Sequence, residues 1–531
     1  MGEDRSPSGP DGIDRRQLMR ITGIAALSAA LTDMLPGSFL LRVARAEAPG
    51  AQVPNATVHL GSVAQGAAYE VVKEKIRAAL QATRDLSVIK QGELVVIKVV
   101  SNSPYKYPMV THPWALQAVL EIVKERSQNV RVVDQVGFEH CFYQGETKLN
   151  QATKDLWKRF APKPFISREQ QVDSGLEALN RNGLKAVADS GGAQVFTGDH
   201  DRDYIHVPNE DPQYGRPDDP EFAHWTPWKD IEGEQHPRGF RVNRYALGYG
   251  ADGAKPSRPP HMISISRLSA HVWTGTTGPT KAYFGWLHPQ DRVHSHTDID
   301  PVSTNDFPGH FTGTKLNLPH PEMRVQSERI TEVALFFQRY WERARANTYY
   351  ANLIVALDTY SDVGPDWGVV PLPEGGVVGA SDDVIALDAV ASALLMDYIR
   401  KTPEEERAAP AKATKEAESP PWWKFWAKKS DAYWNAVQEL NYRATRGEWN
   451  TLFGAAPWVF QLDQKNEDPS VWALGQVDRG VQLGYANNLD VKLLDGGATL
   501  SEDQRKMLAR PTAAAAGPGI NEALESIGGN Q

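Results

Sequence analysis

Two short runs rich in β-branched residues, 94–100 and 130–133, bracket a stretch of helical periodicity at 114–124. That alternation limits the possible folds more than any other feature of the chain. A run such as Leu94 to Val100, apolar almost throughout, predicts a strand buried on both faces. Strands of that kind belong to sheets covered by helices and joined by long crossovers. Upstream, residues 67–83 carry Tyr69, Val72, Ile76 and Leu80 on one helical stripe. Downstream, 328–345, 353–357, 377–378 and 383–400 continue the alternation. The expected fold is α/β, a mixed and mostly parallel sheet with helices on both faces, within a core at residues 50–400.

Two segments interrupt this pattern. Residues 207–260 are rich in Pro, Asp and Glu, contain Trp225 and Trp228, and lack periodicity, which suits a lid or binding insertion. Residues 402–421 form a charged Ala/Pro/Glu/Lys linker. Beyond it, 422–510 are rich in tryptophan (Trp422, Trp423, Trp426, Trp434, Trp449, Trp458, Trp472). The expectation is that these rings pack the segment back onto the sheet. Contact with a membrane surface or a glycan is the alternative, given the interleaved Lys424, Lys428 and Lys429. Residues 511–531 read as a disordered tail.

The N-terminus reads as an address. Asp14-Arg15-Arg16-Gln17-Leu18-Met19 is similar to the twin-arginine export motif, with Asp14 in place of Ser/Thr and Leu18 in place of Phe. A modest apolar run from Ile21 to Leu31 follows, and Ala44-Arg45-Ala46 offers a small-x-small cleavage site. Asp33 and Pro36 interrupt a run too short to span a bilayer. The expectation is a signal peptide over 1–46, a twin-arginine translocase as partner, and a periplasmic or secreted protein that is not integral to the membrane.

Composition excludes some classes. The net charge of -9 argues against a nucleic-acid-binding surface, which needs a basic face. Cys141 is the only cysteine, so an intramolecular disulfide, an iron–sulfur cluster and a thiolate zinc site are all excluded. Any divalent metal would have to be held by His, carboxylate or Lys, or by an organic ligand.

In open α/β sheets ligands bind beyond the carboxyl ends of the strands, and polar residues recur there. Ser101, Asn102, Ser103, Thr111 and His112 follow the first buried run, and Asp134, Gly137, Glu139 and His140 follow the second. After residues 262–268 come His271, the turn Gly275-Thr276-Thr277-Gly278 and Lys281. Asp358 and Gly364-Pro365 follow residues 353–357. Glycines allow close approach of backbone amides, and a lysine at a helix start favours a small anionic ligand.

The order Arg267-x-x-x-His271-x-x-x-Gly275-x-Thr277-Gly278-x-x-Lys281-x-x-x-Gly285 resembles the domain-of-unknown-function family 362. Residues 93–98, Thr111-His112-Pro113 with 115–124, 130–134 with Gly137, and 379–389 resemble further pieces of that family in order. The resemblance spans roughly 55–400 and implies architecture more than chemistry.

A second resemblance is to the nickel-pincer lactate racemases, which carry a histidine ten residues before the lysine that holds their cofactor. His271 and Lys281 have that spacing. The resemblance implies His271 and His140 as paired acid/base residues. It further implies Lys281 with the 275–278 turn as holder of a nickel-pincer nucleotide, and His294 or His296 as metal ligand. Paired bases suit inversion at a hydroxy-acid carbon, because each face needs its own proton acceptor. Two departures stand: Gly278-Pro279-Thr280 replaces Gly-Gly-Arg, and His112 stands where that family has arginine.

Two His/Asp clusters present themselves as divalent sites: His288, His294 and His296 with Asp291, Asp298 and Asp300, and Asp199-His200-Asp201 with Asp203 and His206. Ser381-Asp382-Asp383 reads as a helix cap. No nucleophile elbow, P-loop or zincin helix is present. Three functions fit: a metal- or cofactor-dependent, racemase- or isomerase-like enzyme acting on a small anion, a protein that binds an anion or metal without turnover, and a maturation factor for exported cofactor proteins.

Overall fold

The computed structural model describes residues 56–137, 172–208, 239–271, 275–289, 291–292, 321–342, 344–360, 369–371, 375–401, 485–486 and 489–494. The chain divides into Met1–Val53 and Pro54–Gln531, and every described residue lies in the second unit.

The elements follow in order as β1 (Thr57–Val63), α1 (Tyr69–Thr83), β2 (Val95–Val99), α2 (Pro113–Lys124) and β3 (Val130–Val133). Then come α3 (Gly175–Asn182), α4 (Leu184–Ser190), β4 (Gln194–Phe196), β5 (Tyr204–Pro208), β6 (Gly239–Asn243) and β7 (His261–Ser266). Next are β8 (Ser269–His271), β9 (Gly275–Thr277), the single turn α5 (Pro279–Ala282), α6 (Pro321–Glu342), β10 (Tyr350–Ala356) and β11 (Asp358–Tyr360). The described part closes with β12 (Val369–Pro371), β13 (Gly376–Ser381), α7 (Val384–Lys401) and β14 (Asp490–Leu493).

The main sheet has eight strands in the order β14-β1-β13-β10-β7-β2-β3-β4. The neighbours from β10 to β4 are parallel, as are β1 and β14, and β13 alone runs against both its partners. The mixed, mostly parallel α/β fold read from the apolar runs is therefore the observed one.

Helices cover both faces because alternate side chains of each central strand go opposite ways. On one face Ile97, Val99, Val132, Ile265 and Leu353 pack with Val72, Ile76 and Leu80 of α1 and Leu116 and Val119 of α2. On the other, Val96, Met262, Tyr350 and Ile354 pack with Phe336, Phe337, Tyr340 and Trp341 of α6 and Ile385 and Leu387 of α7.

The cap of α7 differs from its expected form. Asp383, not Ser381, accepts from the first helical amides, with Oδ1 at 2.9 Å from both Ile385 N and Ala386 N. Ser381 Oγ accepts from Asp383 N at 3.0 Å and donates to Thr57 O at 2.7 Å, so it fixes the residue that caps. Burial pushes the Asp383 carboxyl up to about 6, against hydrogen bonds from Ala386 and Ala486.

β14 has no counterpart in the sequence reading. Asp490–Leu493, from within the tryptophan-rich segment, pairs in parallel with β1 and closes the sheet edge. The amide of Ala486 reaches Asp383 Oδ2 at 2.9 Å, which ties the same stretch to the start of α7. The tryptophans of that segment, the linker at 402–421, the tail and the twin-arginine segment lie outside the described residues. So does 209–238, most of the expected insertion, whose flanks pair as the antiparallel hairpin β5–β6.

Candidate functional site at the carboxyl edge of the sheet

Strands β2, β3, β7 and β10 lie side by side across the centre of the sheet and end at one edge. The polar residues after them gather there. β7 and β10 do not stop but run on into β8 and β11, which form a second sheet in the order β12-β11-β8-β9. Tyr360 pairs with Ser269 in parallel, and β8 folds back on β9 with His271 opposite Gly275.

The loop between β2 and α2 fastens this junction. Thr111 Oγ1 accepts from Val100 N at 2.7 Å and donates to Ile265 O at 2.9 Å. Arg267, buried, donates to Pro108 O at 3.0 Å. Tyr107 OH bonds both backbone groups of Asp358. His112 ends the loop as the cap of α2, its Nδ1 accepting from Trp114 N at 3.0 Å, and burial pushes its ring down to about 4. Its role is thus a neutral helix cap. Burial raises the Asp358 carboxyl above its ordinary value.

At the centre of the edge is an ion pair missing from the sequence reading. Lys98 Nζ lies 2.6 Å from Asp134 Oδ1, and each side chain is 1% exposed. Asp134 Oδ2 also accepts from Ser101 N at 2.5 Å, and Lys98 donates to Val99 O. Burial lowers the lysine's pKa, and the Asp134 carboxylate opposes that. A signal was available: Lys98 interrupts an otherwise apolar, doubly buried strand, and a charge there needs a partner in the fold.

The pair begins a polar row on one face of the sheet. Lys98 is in register with Ser264, Ser264 with Asn352, and Asn352 with Ser381. The segment carrying Lys281 lies over this row and is pinned at three points. Thr280 Oγ1 donates to the buried Asp388 of α7. Tyr283 OH reaches Asn352 Oδ1 at 2.6 Å, and Trp286 Nε1 donates to Val133 O at 2.9 Å. Between these anchors a Cβ at Gly285 would meet Asp134 Oδ1 at 2.2 Å and Lys98 Nζ at 2.9 Å, so the backbone there closes directly on the ion pair.

The expected site residues fall as follows. His271 ends β8 and Gly275, Thr276 and Thr277 form β9, so the histidine and the Gly/Thr turn share one hairpin. Gly278 is extended, with φ -129 and ψ -161, and Lys281 is half-buried in α5. The helix expected to start at that lysine is one turn, followed by a 3-10 turn over Tyr283–Trp286. It brings little helix dipole to an anion. His140, His294 and His296 lie outside the described residues.

Asp291, His288, Asp199, Asp201 and Asp203 of the two His/Asp clusters each make hydrogen bonds or ion pairs, and the contact of His288 with Asp201 joins one cluster to the other. Asp291, 1% exposed, accepts from Arg241 Nη2 at 2.7 Å and from Arg241 N at 2.6 Å. His288 Nε2 lies 3.0 Å from Asp201 Oδ1, and burial lowers its pKa. Asp199 accepts from Gly175 N at 2.6 Å, and Asp203 from Tyr245 OH and His200 N, each at 3.0 Å. Among the described residues no group of three or more His, Cys, Asp or Glu is arranged to hold a metal.

These features define an α/β protein whose mostly parallel, doubly covered sheet presents a polar carboxyl edge with a buried Lys–Asp pair. Residues 257–393 match the family described as Domain of unknown function (DUF362), which bears out the resemblance over β7 to α7. No curated protein matches the chain. A crystal structure of a Thermotoga maritima protein from the Northeast Structural Genomics Consortium is similar at 11% identity and a TM-score of 0.30, covering 84% of this chain and 92% of that one. Among the described residues no helix is long and apolar enough to cross a membrane.

Proposed function

We propose that the carboxyl edge of the sheet binds a small anion and that the protein acts on it by histidine acid/base chemistry after export from the cytoplasm. One observation carries the reading: four adjacent parallel strands reach the same edge, and the residues following them there include Ser101, Asp134, Arg267 and Asp358. Strand ends that converge in this way form the usual ligand crevice of open α/β sheets. Lys281 supports it, because the anchors at Thr280, Tyr283 and Trp286 fix the backbone that carries this half-buried lysine. His271 is the general base of the reading and His140 its counterpart for the opposite face. The 275–278 turn and Lys281 hold the anion or an organic cofactor, and His294 and His296 supply any divalent metal, nickel included.

Two variants test the assignment. Lys281→Ala should lose the bound anion or cofactor while keeping the fold. His271→Ala should keep the ligand and lose turnover by ~10²–10⁴, the usual cost of removing a positioned general base. Normal binding by His271→Ala, with no substrate turned over by the parent, would make the protein a carrier of the anion and not an enzyme. Metal analysis of protein from its native host, with nickel in stoichiometric amount as the positive result, tests the cofactor.

A further inference from the structure

We propose that Asp388 is a positioning residue of the anion site: from α7 it seats the turn at 278–281 through Thr280, and anion binding favours its neutral form. This rests on the anion site proposed above and adds a coupled proton to it.

The need for such a residue begins in α5. Gly278, which precedes the turn, has no side chain to cap it, and Pro279 has no N–H. The amide of Thr280 is therefore the first donor without a partner inside the turn. Asp388 accepts from that amide and from the Thr280 hydroxyl, so a side chain of one helix caps another. Both residues are fully buried. Thr280 stands two residues after Gly278 and directly before Lys281. The two bonds fasten that stretch to the second turn of an 18-residue helix.

Holding Thr280 requires only an acceptor, and an amide oxygen would serve without burying an ionisable group. A carboxyl adds a proton that can leave. Asp388 Oδ1 has no hydrogen-bond partner, and neither has Oγ of the buried Ser392, four residues on along the same helix face. Burial pushes the carboxyl up to about 7, the Thr280 bonds oppose it, and no neighbouring charge among the described residues takes part. The elements packed most closely against α7 are α5 with Lys281, α6 with Glu332, Arg339 and Glu342, β1 with His59, β10 with Tyr350, and β13 with no titratable side chain. α7 itself adds Asp383. An anion at the turn and an ionised Asp388 would be like charges beside one short stretch of chain. Anion binding thus draws a proton from the buffer onto Asp388. By linkage the affinity is full below the folded value and falls as the pH rises through about 7.

The test is calorimetric titration of the full chain with sulfate, whose own charge is constant across the neutral range, in buffers of different ionisation enthalpy. Proton uptake on binding is the readout, because a merely structural role would not move it. The parent should take up part of a proton near and above pH 7. It should bind sulfate about tenfold more weakly at pH 8.5 than at pH 6, the scale of one charge acting on another through protein. Asp388→Asn still accepts from Thr280 but cannot ionise, so it should lose that share of the uptake and flatten the profile. The difference from the parent separates Asp388 from histidines such as His271. Thr280→Val should weaken binding at every pH, and Thr280→Ser should restore it. Thermal melts check that each variant is folded, and the Thr280 pair carries the test if Asp388→Asn is not.

Proton uptake unchanged in Asp388→Asn, or Thr280→Val binding like the parent, overturns the role of Asp388 while the anion site stands. No saturable sulfate binding by the parent overturns the anion site and this role together. If Lys281→Ala binds sulfate like the parent, with the uptake that Asp388→Asn loses, Asp388 stands and the role given to Lys281 falls.

Discussion

The phenol oxygen of Tyr107 holds both backbone groups of Asp358: it accepts from the amide at 2.6 Å and donates to the carbonyl at 2.8 Å. Asp358 is the first residue of β11, two residues beyond the end of β10. A side chain from the β2–α2 loop thus pins the point where the main sheet passes into the small one. Without it, a donor and an acceptor at a part-buried junction lose their partner.

Tyr107→Phe is therefore expected to destabilise the fold by ~2 kcal/mol, since stranded backbone groups cost more than a net hydrogen bond returns. Urea denaturation measures the loss. A variant as stable as the parent would mean that water replaces the phenol without cost.

Asp388 should give stability a slope on the alkaline side. It is fully buried, and burial pushes its carboxyl from 3.8 up to about 7, against hydrogen bonds from Thr280. The folded chain holds this proton more tightly than the unfolded one. The contribution is complete below pH 3.8 and is lost as the pH rises through about 7. Asp383, raised to about 6, adds to the same trend. Asp388→Asn should flatten the decline between pH 5 and pH 8 in thermal melts. Parallel curves for parent and variant would refute a protonated Asp388.

His261 acts in the opposite direction. Its Nδ1 accepts from Tyr349 N at 2.8 Å and its Nε2 donates to Glu93 Oε2 at 2.6 Å, an arrangement only the neutral ring can make. Burial lowers its pKa below 6.5 despite Glu93. Its contribution is present above pH 6.5 and is lost as the pH falls through the lower folded value. His261→Ala should cost ~2 kcal/mol at pH 7 through the stranded Tyr349 amide. It should also lose less stability than the parent between pH 7 and pH 5. An equal loss in both would assign the acid sensitivity elsewhere.

Export is tested by replacing Arg15 and Arg16 together with lysine. If the pair is read by the twin-arginine translocase, precursor should accumulate in the cytoplasm and the mature form should disappear from the periplasm. Fractionation and immunoblotting distinguish the forms, and normal periplasmic levels of the double variant would overturn the assignment.

Local periodicity made much of the fold legible. Near-continuous apolar runs marked β2 and β3 as buried strands, and helical stripes marked α1, α2 and α7, because burial on one or two faces leaves its imprint within a single element. The ends of those runs also led to the carboxyl edge, with Ser101, Asp134 and Asp358 among its residues. Partners remote in sequence left no such imprint. β14 reads as an ordinary alternating tetrapeptide, and its place beside β1 depends on chain 427 residues away (490 minus 63). The reversed direction of β13, the grip of Tyr107 on Asp358 and the choice of Asp383 as cap were likewise settled only by packing. So was the meaning of Lys98. The sequence by itself determined that this lysine sits in a buried strand. The tertiary structure decided that Asp134 on the neighbouring strand receives it, because a buried charge is stabilised only by a partner brought close in space.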